Sequence, residues 1–296
     1  MKRRAFLGLA PLLFAPAWTG AQSRQRFSRG VLWRIVYRDK PASHLFGTIH
    51  VADPRLAALP GPVALAFESA RSLTLEFAAD GYARERFLEA AIFQDRQTLE
   101  EKIGSRDFER AVKQLAPIGL SREFILKLKP WGVLVNLRNP RGAKPGSGPT
   151  LDAQLVARAR ARRLELHTME SVEEQIFTFD EFPMDSQVAL LRHALEHQAE
   201  LLAMSERTLE AYLARDLDAI WRVQADYVGR YPGIASHNAV FVKRVIYDRS
   251  VVMAFRMQRQ LRAGNAFVAI GALHLHGEKG VLKLLEEDGY RVRRLY

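Results

Sequence analysis

The sequence predicts an α/β (α+β) fold, in which a central mixed β-sheet carries large helical insertions. Short β-prone runs lie near both ends of the 296-residue chain and near its middle. Long stretches with helical periodicity separate these runs. Because the strands and helices do not alternate regularly, the pattern does not favour a regular parallel βαβ fold.

The first two predicted strands form a hairpin. Residues 31–37 are β-prone, residues 39–43 have the composition of a turn, and residues 44–48 are β-prone again. Residues 72–77 alternate between polar and apolar side chains, which predicts a third strand. Glu76 falls on the polar face of that strand, where a solvated side chain is the simplest interpretation.

The middle of the chain predicts helices and one irregular loop. Helical patterns run from about residue 84 to residue 137. Residues 139–149 contain three Pro and three Gly, and we expect a loop that is either a lid over a cleft or a linker. Thr150 is a suitable N-cap for a helix that begins at Leu151, with Asp152 in its first turn.

The last part of the chain again places helices between strands. Residues 164–168 predict a fourth strand, and residues 172–262 predict helices. Residues 266–271 form a strongly apolar run that predicts a fifth strand. A helix is expected over residues 281–288, and residues 290–295 predict the final strand.

The N-terminus has the composition of a signal peptide. Basic residues at positions 2–4 precede an apolar run over 5–18, and small residues follow at 19–21. We therefore expect residues 1–21 to be cleaved and residues 22–296 to form a periplasmic or secreted domain. The arginine pair is compatible with twin-arginine export of a folded protein, and an ordinary Sec signal is the alternative. The apolar run is too short to span a bilayer, so no stable membrane anchor is expected after cleavage.

The composition narrows the classes of function. The chain has no Cys, which excludes disulfides, thiolate metal sites and a cysteine nucleophile. The formal net charge is +11, but the basic residues are spread along the chain beside acidic ones. Because the sequence carries no nucleic-acid-binding motif, we expect no nucleic-acid partner. The oligomeric state is left open.

Two segments share the same form, a strand that runs into a Gly-x-x-His motif. Residues 45–50 read Leu-Phe-Gly-Thr-Ile-His, and residues 269–274 read Ala-Ile-Gly-Ala-Leu-His. Ligands of open sheets gather at the carboxyl ends of strands. We therefore expect His50 and His274 to face one cleft, and two separate structural histidines are the alternative. His276 is expected to lie in an exposed loop.

Glu76 is a candidate third member of this site. If its strand lies beside the strand that leads to His50, the carboxylate reaches the same edge of the sheet. Two imidazoles and a carboxylate suit zinc, manganese or cobalt. The same three side chains also suit metal-free general acid–base chemistry, and both interpretations stay open.

Arg249 interrupts an apolar stripe on a predicted helix. Val242, Ile246, Met253 and Met257 follow helical spacing, and Arg249 falls in the middle of them. A buried arginine must be paired or functional. We expect it beside a carboxylate or a developing oxyanion, and a structural salt bridge or a snorkelling side chain is the alternative.

The complete pattern resembles the TraB/GumN family. The segments that carry the resemblance are, in order, LFGTIHVADPRLAALP, SLTLEF, LKPWGVLVNL, GPTLDAQLVARARARRLELHTMES, YDRSVVMAFRMQRQL and FVAIGALHLHGEKGVLKLLEEDGYRVRRL. They extend over essentially all of residues 22–296, which is identified as a TraB/GumN-type domain. More distant similarity extends to erythromycin-esterase-like hydrolases and to a haem-associated iron-regulated lipoprotein.

The resemblance implies a domain similar to the Tiki proteins, which are described as metal-dependent proteases. Their proposed active site uses two Gly-x-x-His motifs and a Glu, which correspond here to His50, His274 and Glu76. These residues would then bind a divalent ion, Mn, Co or Zn. The family usually has Arg-Asn where this sequence has Arg249 and Ser250. The serine is therefore a departure that bears on activity.

The leading hypothesis is a periplasmic metal-dependent hydrolase, foremost a peptidase that acts on a peptide or protein. His50, Glu76 and His274 would hold the ion or activate water, and Arg249 would stabilise the oxyanion or orient Glu76. One alternative is a non-catalytic protein that sequesters a peptide signal, a metal or haem in the same cleft. Another is a metal-free esterase-like hydrolase with His50 as its base.

Overall fold

The computed structural model describes residues 26–77, 81–138, 148–277 and 279–296. The predicted signal peptide, residues 1–21, and most of the predicted loop at 139–149 lie outside these residues. Within them, none of the helices is both long enough and apolar enough to cross a membrane.

A six-stranded mixed sheet forms the centre of the fold, in the order β4-β3-β5-β2-β1-β6. Four neighbouring strands, β4, β3, β5 and β2, run parallel, whereas β1 is antiparallel to both β2 and β6. The strands are β1 (Leu32–Tyr37), β2 (Ser43–Thr48), β3 (Ser72–Leu75), β4 (Glu165–Thr168), β5 (Ala266–Gly271) and β6 (Tyr290–Arg294). The predicted mixed sheet and all six of its strands are confirmed, as is the hairpin of β1 and β2.

Helices make up most of the remaining chain and fall largely into the two insertions that the sequence predicts. They are α1 (Gly61–Glu68), α2 (Gly81–Ala90), α3 (Leu99–Ile103), α4 (Ser105–Leu115), α5 (Arg122–Lys127), α6 (Pro130–Arg138), α7 (Leu151–Ala161), α8 (Val172–Asp180), α9 (Met184–Glu196), α10 (Gln198–Leu213), α11 (Leu217–Arg230), α12 (Ala235–Val242), α13 (Arg249–Arg256), α14 (Gln258–Ala263) and α15 (Val281–Glu287). A π-helix, Lys243–Asp248, joins α12 to α13.

Helix α7 begins where the sequence predicts. The Thr150 side chain accepts a hydrogen bond from the Ala153 N–H at 3.3 Å, which satisfies one of the free donors at the start of the helix. Asp152 lies in the first turn. The cap therefore fixes the start of α7 and, with it, the position of the Asp152 carboxylate.

The buried apolar side chains form two cores. One surrounds the sheet, where every residue of β5 is buried and the Phe46 and Phe267 rings lie 6.1 Å apart. The other lies among the helical insertions around residues such as Phe108 and Trp131. Burial on both faces explains the uninterrupted apolar run of β5.

Strand β3 corrects one expectation from the sequence. Its alternation predicted a polar, solvated face, but Ser72 and Thr74 are buried. The reason is that β3 lies inside the sheet, between β4 and β5, and is covered on both faces. Glu76, directly after β3, is only 7% exposed, so its interpretation as a solvated strand residue is wrong.

Candidate active site

The carboxyl ends of the four parallel strands bring polar side chains to one edge of the sheet. His50 follows β2, Glu76 follows β3 and Glu170 follows β4. His274 ends a short 3-10 helix directly after β5. This edge is where open sheets with parallel strands usually bind their ligands.

Gly271, the last residue of β5, lies at the point where three predicted site residues converge. A Cβ atom placed on Gly271 would lie 3.3 Å from Glu76 Oε1, 3.3 Å from His50 Nε2 and 3.5 Å from His274 Cδ2. The structure thus brings His50, Glu76 and His274 together from strands that are far apart in the sequence. A side chain at position 271 would occupy the space that they share.

Glu76 is a buried carboxylate with a hydrogen-bond donor on each oxygen. The Gly271 N–H donates to Oε1, and Arg249 donates from Nη2 to Oε2 at 2.8 Å. Burial would raise the pKa of Glu76, but His274, Arg249, His50 and the Gly271 N–H favour the charged form and lower the pKa to about 2. Glu76 is therefore a carboxylate at neutral pH.

His274 is buried and held in one orientation by Ser250. The Ser250 hydroxyl donates to the Ile246 carbonyl at 2.7 Å and lies 2.9 Å from His274 Nδ1. Because the single hydroxyl proton is used on Ile246, Ser250 must accept from an Nδ1–H group, which leaves Nε2 unprotonated. Desolvation lowers the pKa of His274 to about 4, so the ring is neutral at pH 7.

His50 is the accessible member of the site, with 61% of its side chain exposed. Its Nδ1 lies 3.0 Å from Asp152 Oδ2, and the other oxygen of Asp152 accepts from Thr48 at 3.0 Å. Partial loss of hydration lowers the pKa of His50, but the charge and hydrogen bond of Asp152 outweigh it and raise the pKa to about 9. Asp152 thus holds the ring with Nε2 toward Glu76.

Arg249 joins two buried carboxylates. It donates from Nε and Nη2 to the two oxygens of Glu170, at 2.8 and 2.6 Å, and from Nη2 to Glu76. Its Nη1 donates to the Val245 carbonyl at 3.2 Å. The two acidic partners raise the pKa of Arg249, although desolvation opposes its charge. The predicted carboxylate partner is present, and Arg249 has two of them, Glu76 and Glu170.

Sequence reasoning did not assign Asp152 or Glu170 to the site. Asp152 was noted only as a first-turn residue of its helix, yet that position aims its carboxylate at His50. Glu170 stands two residues after β4, a position similar to that of Glu76 after β3. That similarity was the available signal, since parallel strands bring such residues to one edge.

His276 also differs from its expected place. It was predicted in an exposed loop, but it is 4% exposed. Its Nε2 lies 3.6 Å from Asp218 on α11. The turn after His274 folds back against that helix, which buries the ring outside the convergence point.

The imidazole nitrogens and carboxylate oxygens near Gly271 are of the types that bind divalent ions. These side chains are not, however, gathered around one point of coordination. Across the described ranges, no group of three or more His, Asp or Glu is placed close enough to hold a metal. His50 and His274 each have Nδ1 in contact with an oxygen, the arrangement that orients histidine ligands of metals. Each oxygen of Glu76 keeps a second lone pair.

A cleft of about 700 Å³ opens at His50 and Glu76. His274 is buried and is not among the residues that line this cleft, so the expectation that both histidines face it is not met. His50 and Glu76 lie at one part of its wall, and α7 supplies another part, from Asp152 to Arg160. The site is therefore accessible to a molecule larger than a metal ion or water.

The fold and this edge define a mixed α/β protein with a His–Glu–His cluster at the carboxyl ends of parallel strands. Residues 31–294 match the TraB/PrgY/gumN family, and the chain belongs to that family.

Two curated proteins are similar to this chain over most of its length. The "Metalloprotease TIKI homolog" of Amphimedon queenslandica is 23% identical over 333 residues, which cover 95% of this chain and 64% of that protein. The chain thus spans less than two thirds of that relative. The "Uncharacterized protein YbaP" of Shigella flexneri is 24% identical over 248 residues, covering 82% of this chain and 87% of that protein. No solved structure matches the chain significantly.

Proposed function

We propose that the protein is a metal-dependent hydrolase, and specifically a peptidase, with its site at His50, Glu76 and His274. The observation that carries this proposal is the convergence of these three side chains on the space where Gly271 would carry a Cβ atom. Its relative from Amphimedon queenslandica is named a metalloprotease, which supports the same chemistry at 23% identity. The basic and apolar N-terminal pattern supports a periplasmic or secreted location.

His50, Glu76 and His274 are the residues that would hold the ion. A bound divalent ion, Mn, Co or Zn, would supply Lewis acidity and lower the pKa of water toward neutrality. Glu76 suits the role of a ligand better than that of a general base, because a pKa of about 2 makes it a weak base.

The other residues of the site position these groups. Ser250 presents the Nε2 lone pair of His274, and Asp152 turns the ring of His50 toward the same point. His50 must lose its proton to act as a ligand, so its pKa of about 9 makes metal binding weaker as the pH falls. Arg249 fixes the carboxylate of Glu76 through Oε2.

The first test is the metal content of the purified protein after incubation with Mn, Co or Zn. We expect about one ion per chain in the wild type and loss of that ion in His274→Ala. His167→Ala is the matched control, because His167 pairs with Glu165 away from the convergence point and should leave the metal content unchanged. Absence of metal from the wild type with all three ions would refute the metal-dependent proposal.

The second test is the digestion of a peptide library. Cleavage should require the added metal, stop with a chelator and be abolished in His50→Ala with the fold intact by circular dichroism. Cleavage that survives in His50→Ala would remove this residue from the mechanism. Cleavage that a chelator leaves unchanged would favour the metal-free hydrolase.

A second candidate is a binding protein without catalysis, which holds a peptide signal, a metal or haem in the same cleft. It is favoured by the contacts of Glu76, since the Arg249 ion pair and the Gly271 N–H engage one carboxylate oxygen each. A protein that retains bound peptides uncleaved, with every metal tested, would establish this second function.

A further inference from the structure

The cleft extends from the site along one face of α7. Asp152, Val156 and Arg160 all line it, and their spacing of four residues places them on the same side of the helix. Asp152 contacts His50, so this face starts at the site itself. At 1.5 Å per residue, Arg160 lies about 12 Å further along the helix axis.

The wall of the cleft carries two exposed basic side chains. Arg84 of α2 and Arg160 of α7 both line it, and both are exposed. Among the described residues, neither forms an ion pair or a side-chain hydrogen bond with a carboxylate. Neighbouring arginines on the chain are paired, as Arg86 is with Glu89 and Arg162 with Glu68. The cleft therefore presents two cations that are available to a ligand.

Part of the cleft wall is apolar. Leu75, Phe77 and Val156 line it, as do the small residues Ala153 and Ala157. An extended chain advances about 3.3 Å per residue, so 12 Å corresponds to about three or four residues of a bound peptide. A peptide can thus place its reacting bond at His50 and a side chain at Arg160.

We propose that the cleft selects peptides with an acidic group about three or four residues from the bond that is cleaved. Arg160 is the residue that determines this specificity. The acidic group is either an Asp or Glu side chain or the C-terminal carboxylate of a short peptide. The inference rests on the proposed peptidase function and adds a substrate class to it.

The experiment uses quenched fluorescent peptides that differ only in the position of one Glu relative to the cleaved bond. Two further peptides carry either a free or an amidated C-terminus at the favoured distance, which separates the two sources of negative charge. We expect kcat/KM to be about fivefold higher with the acid about three or four residues away, as for an exposed ion pair. Arg160→Gln should bring the ratio of acidic to neutral peptides close to one, and Arg160→Glu should favour Lys at that position.

Arg158→Gln is the matched control. Arg158 is an exposed arginine on the same helix that does not line the cleft, so its removal changes the net charge equally. An acid preference that falls as much in Arg158→Gln as in Arg160→Gln would show a general charge effect and overturn the assignment. A wild-type enzyme that cleaves peptides without any acid preference would overturn it as well.

Binding measurements separate this inference from the proposed function. Fluorescence anisotropy with the same labelled peptides and His50→Ala protein needs no turnover. If the wild type cleaves nothing, the peptidase proposal fails. The specificity proposal is then supported if acidic peptides bind more tightly than neutral ones and Arg160→Gln removes this difference. It fails if acidic and neutral peptides bind equally to the protein.

Discussion

At the scale of single residues, the hydroxyl proton of Ser250 determines the tautomer of His274. Its hydroxyl donates to the Ile246 carbonyl and can then only accept from His274. An imidazole that donates from Nδ1 has its free lone pair on Nε2. This small side chain therefore decides which nitrogen of His274 is available to a ligand.

Ser250→Ala should weaken metal binding about 10- to 100-fold, because the ring of His274 loses the partner that orients it. Ser250→Asn should recover much of the affinity, since an amide oxygen can accept the same proton. Ser186→Ala is a close control, because Ser186 makes a similar 2.9 Å contact with His237 outside the site. Metal titration of the three variants checks this, and equal affinities for Ser250→Ala and wild type would contradict it.

Gly271→Ala should fold normally and lose function. Its backbone angles, φ −57° and ψ 136°, are accessible to alanine. The added methyl group, however, would stand 3.3 Å from both Glu76 Oε1 and His50 Nε2, where a ligand must enter. We expect an unchanged unfolding midpoint with loss of metal binding; a variant that binds metal as the wild type does would show that the ion lies elsewhere.

At the scale of secondary structure, the π-helix before α13 sets the direction of two site residues. Arg249 and Ser250 follow Lys243–Asp248 directly, and they contact Glu76, Glu170 and His274. A π-helix accommodates an extra residue within a helix and shifts the side chains after it. The simple helical stripe located Arg249 correctly in sequence, but it could not predict this shift.

Glu170→Gln tests the link between α13 and β4. The change removes a charged partner from Arg249, and we expect a loss of about 2 kcal/mol in the free energy of unfolding. Glu173→Gln, at an exposed position of α8, should change it by no more than about 0.5 kcal/mol. Urea denaturation measures both, and equal effects of the two substitutions would mean that the buried pair contributes little to stability.

At the scale of the whole molecule, the six strands were predictable because β-prone runs of this chain are short and separated by clear helical patterns. The position of β3 inside the sheet was not predictable. Its alternation of polar and apolar residues is typical of a half-exposed strand, whereas tertiary packing buries both of its faces. His50, Glu76 and His274 were predicted at one edge, and the structure brings them together. Asp152 was missed because no local pattern places the start of α7 beside His50, and Glu170 was missed although it follows β4 much as Glu76 follows β3.

The metal-free protein should lose stability in mild acid, and His274 should account for part of the loss. Its folded pKa of about 4 lies below the ordinary 6.5, so the unfolded chain binds the extra proton between these values. Stability therefore falls as the pH decreases from about 6.5 to 4, by on the order of 3 kcal/mol from this group. Denaturation at several pH values with a chelator present should show a shallower dependence in His274→Asn, and identical slopes would contradict the assignment.

The order of strands also determines when the sheet can be completed during synthesis of the chain. Strand β5 pairs with both β2 and β3. The strands that begin near residues 44 and 72 therefore cannot complete their pairing until the chain near residue 266 has been synthesised. Contacts so distant in sequence slow folding, because long chain segments must be closed before they form. A nascent chain that lacks its last thirty or so residues would leave β2 and β3 with unpaired edges, which are sites of aggregation. Both helical insertions precede β5, so the helical core can form first, and the edge that carries His50, Glu76 and His274 is assembled among the last parts of the molecule.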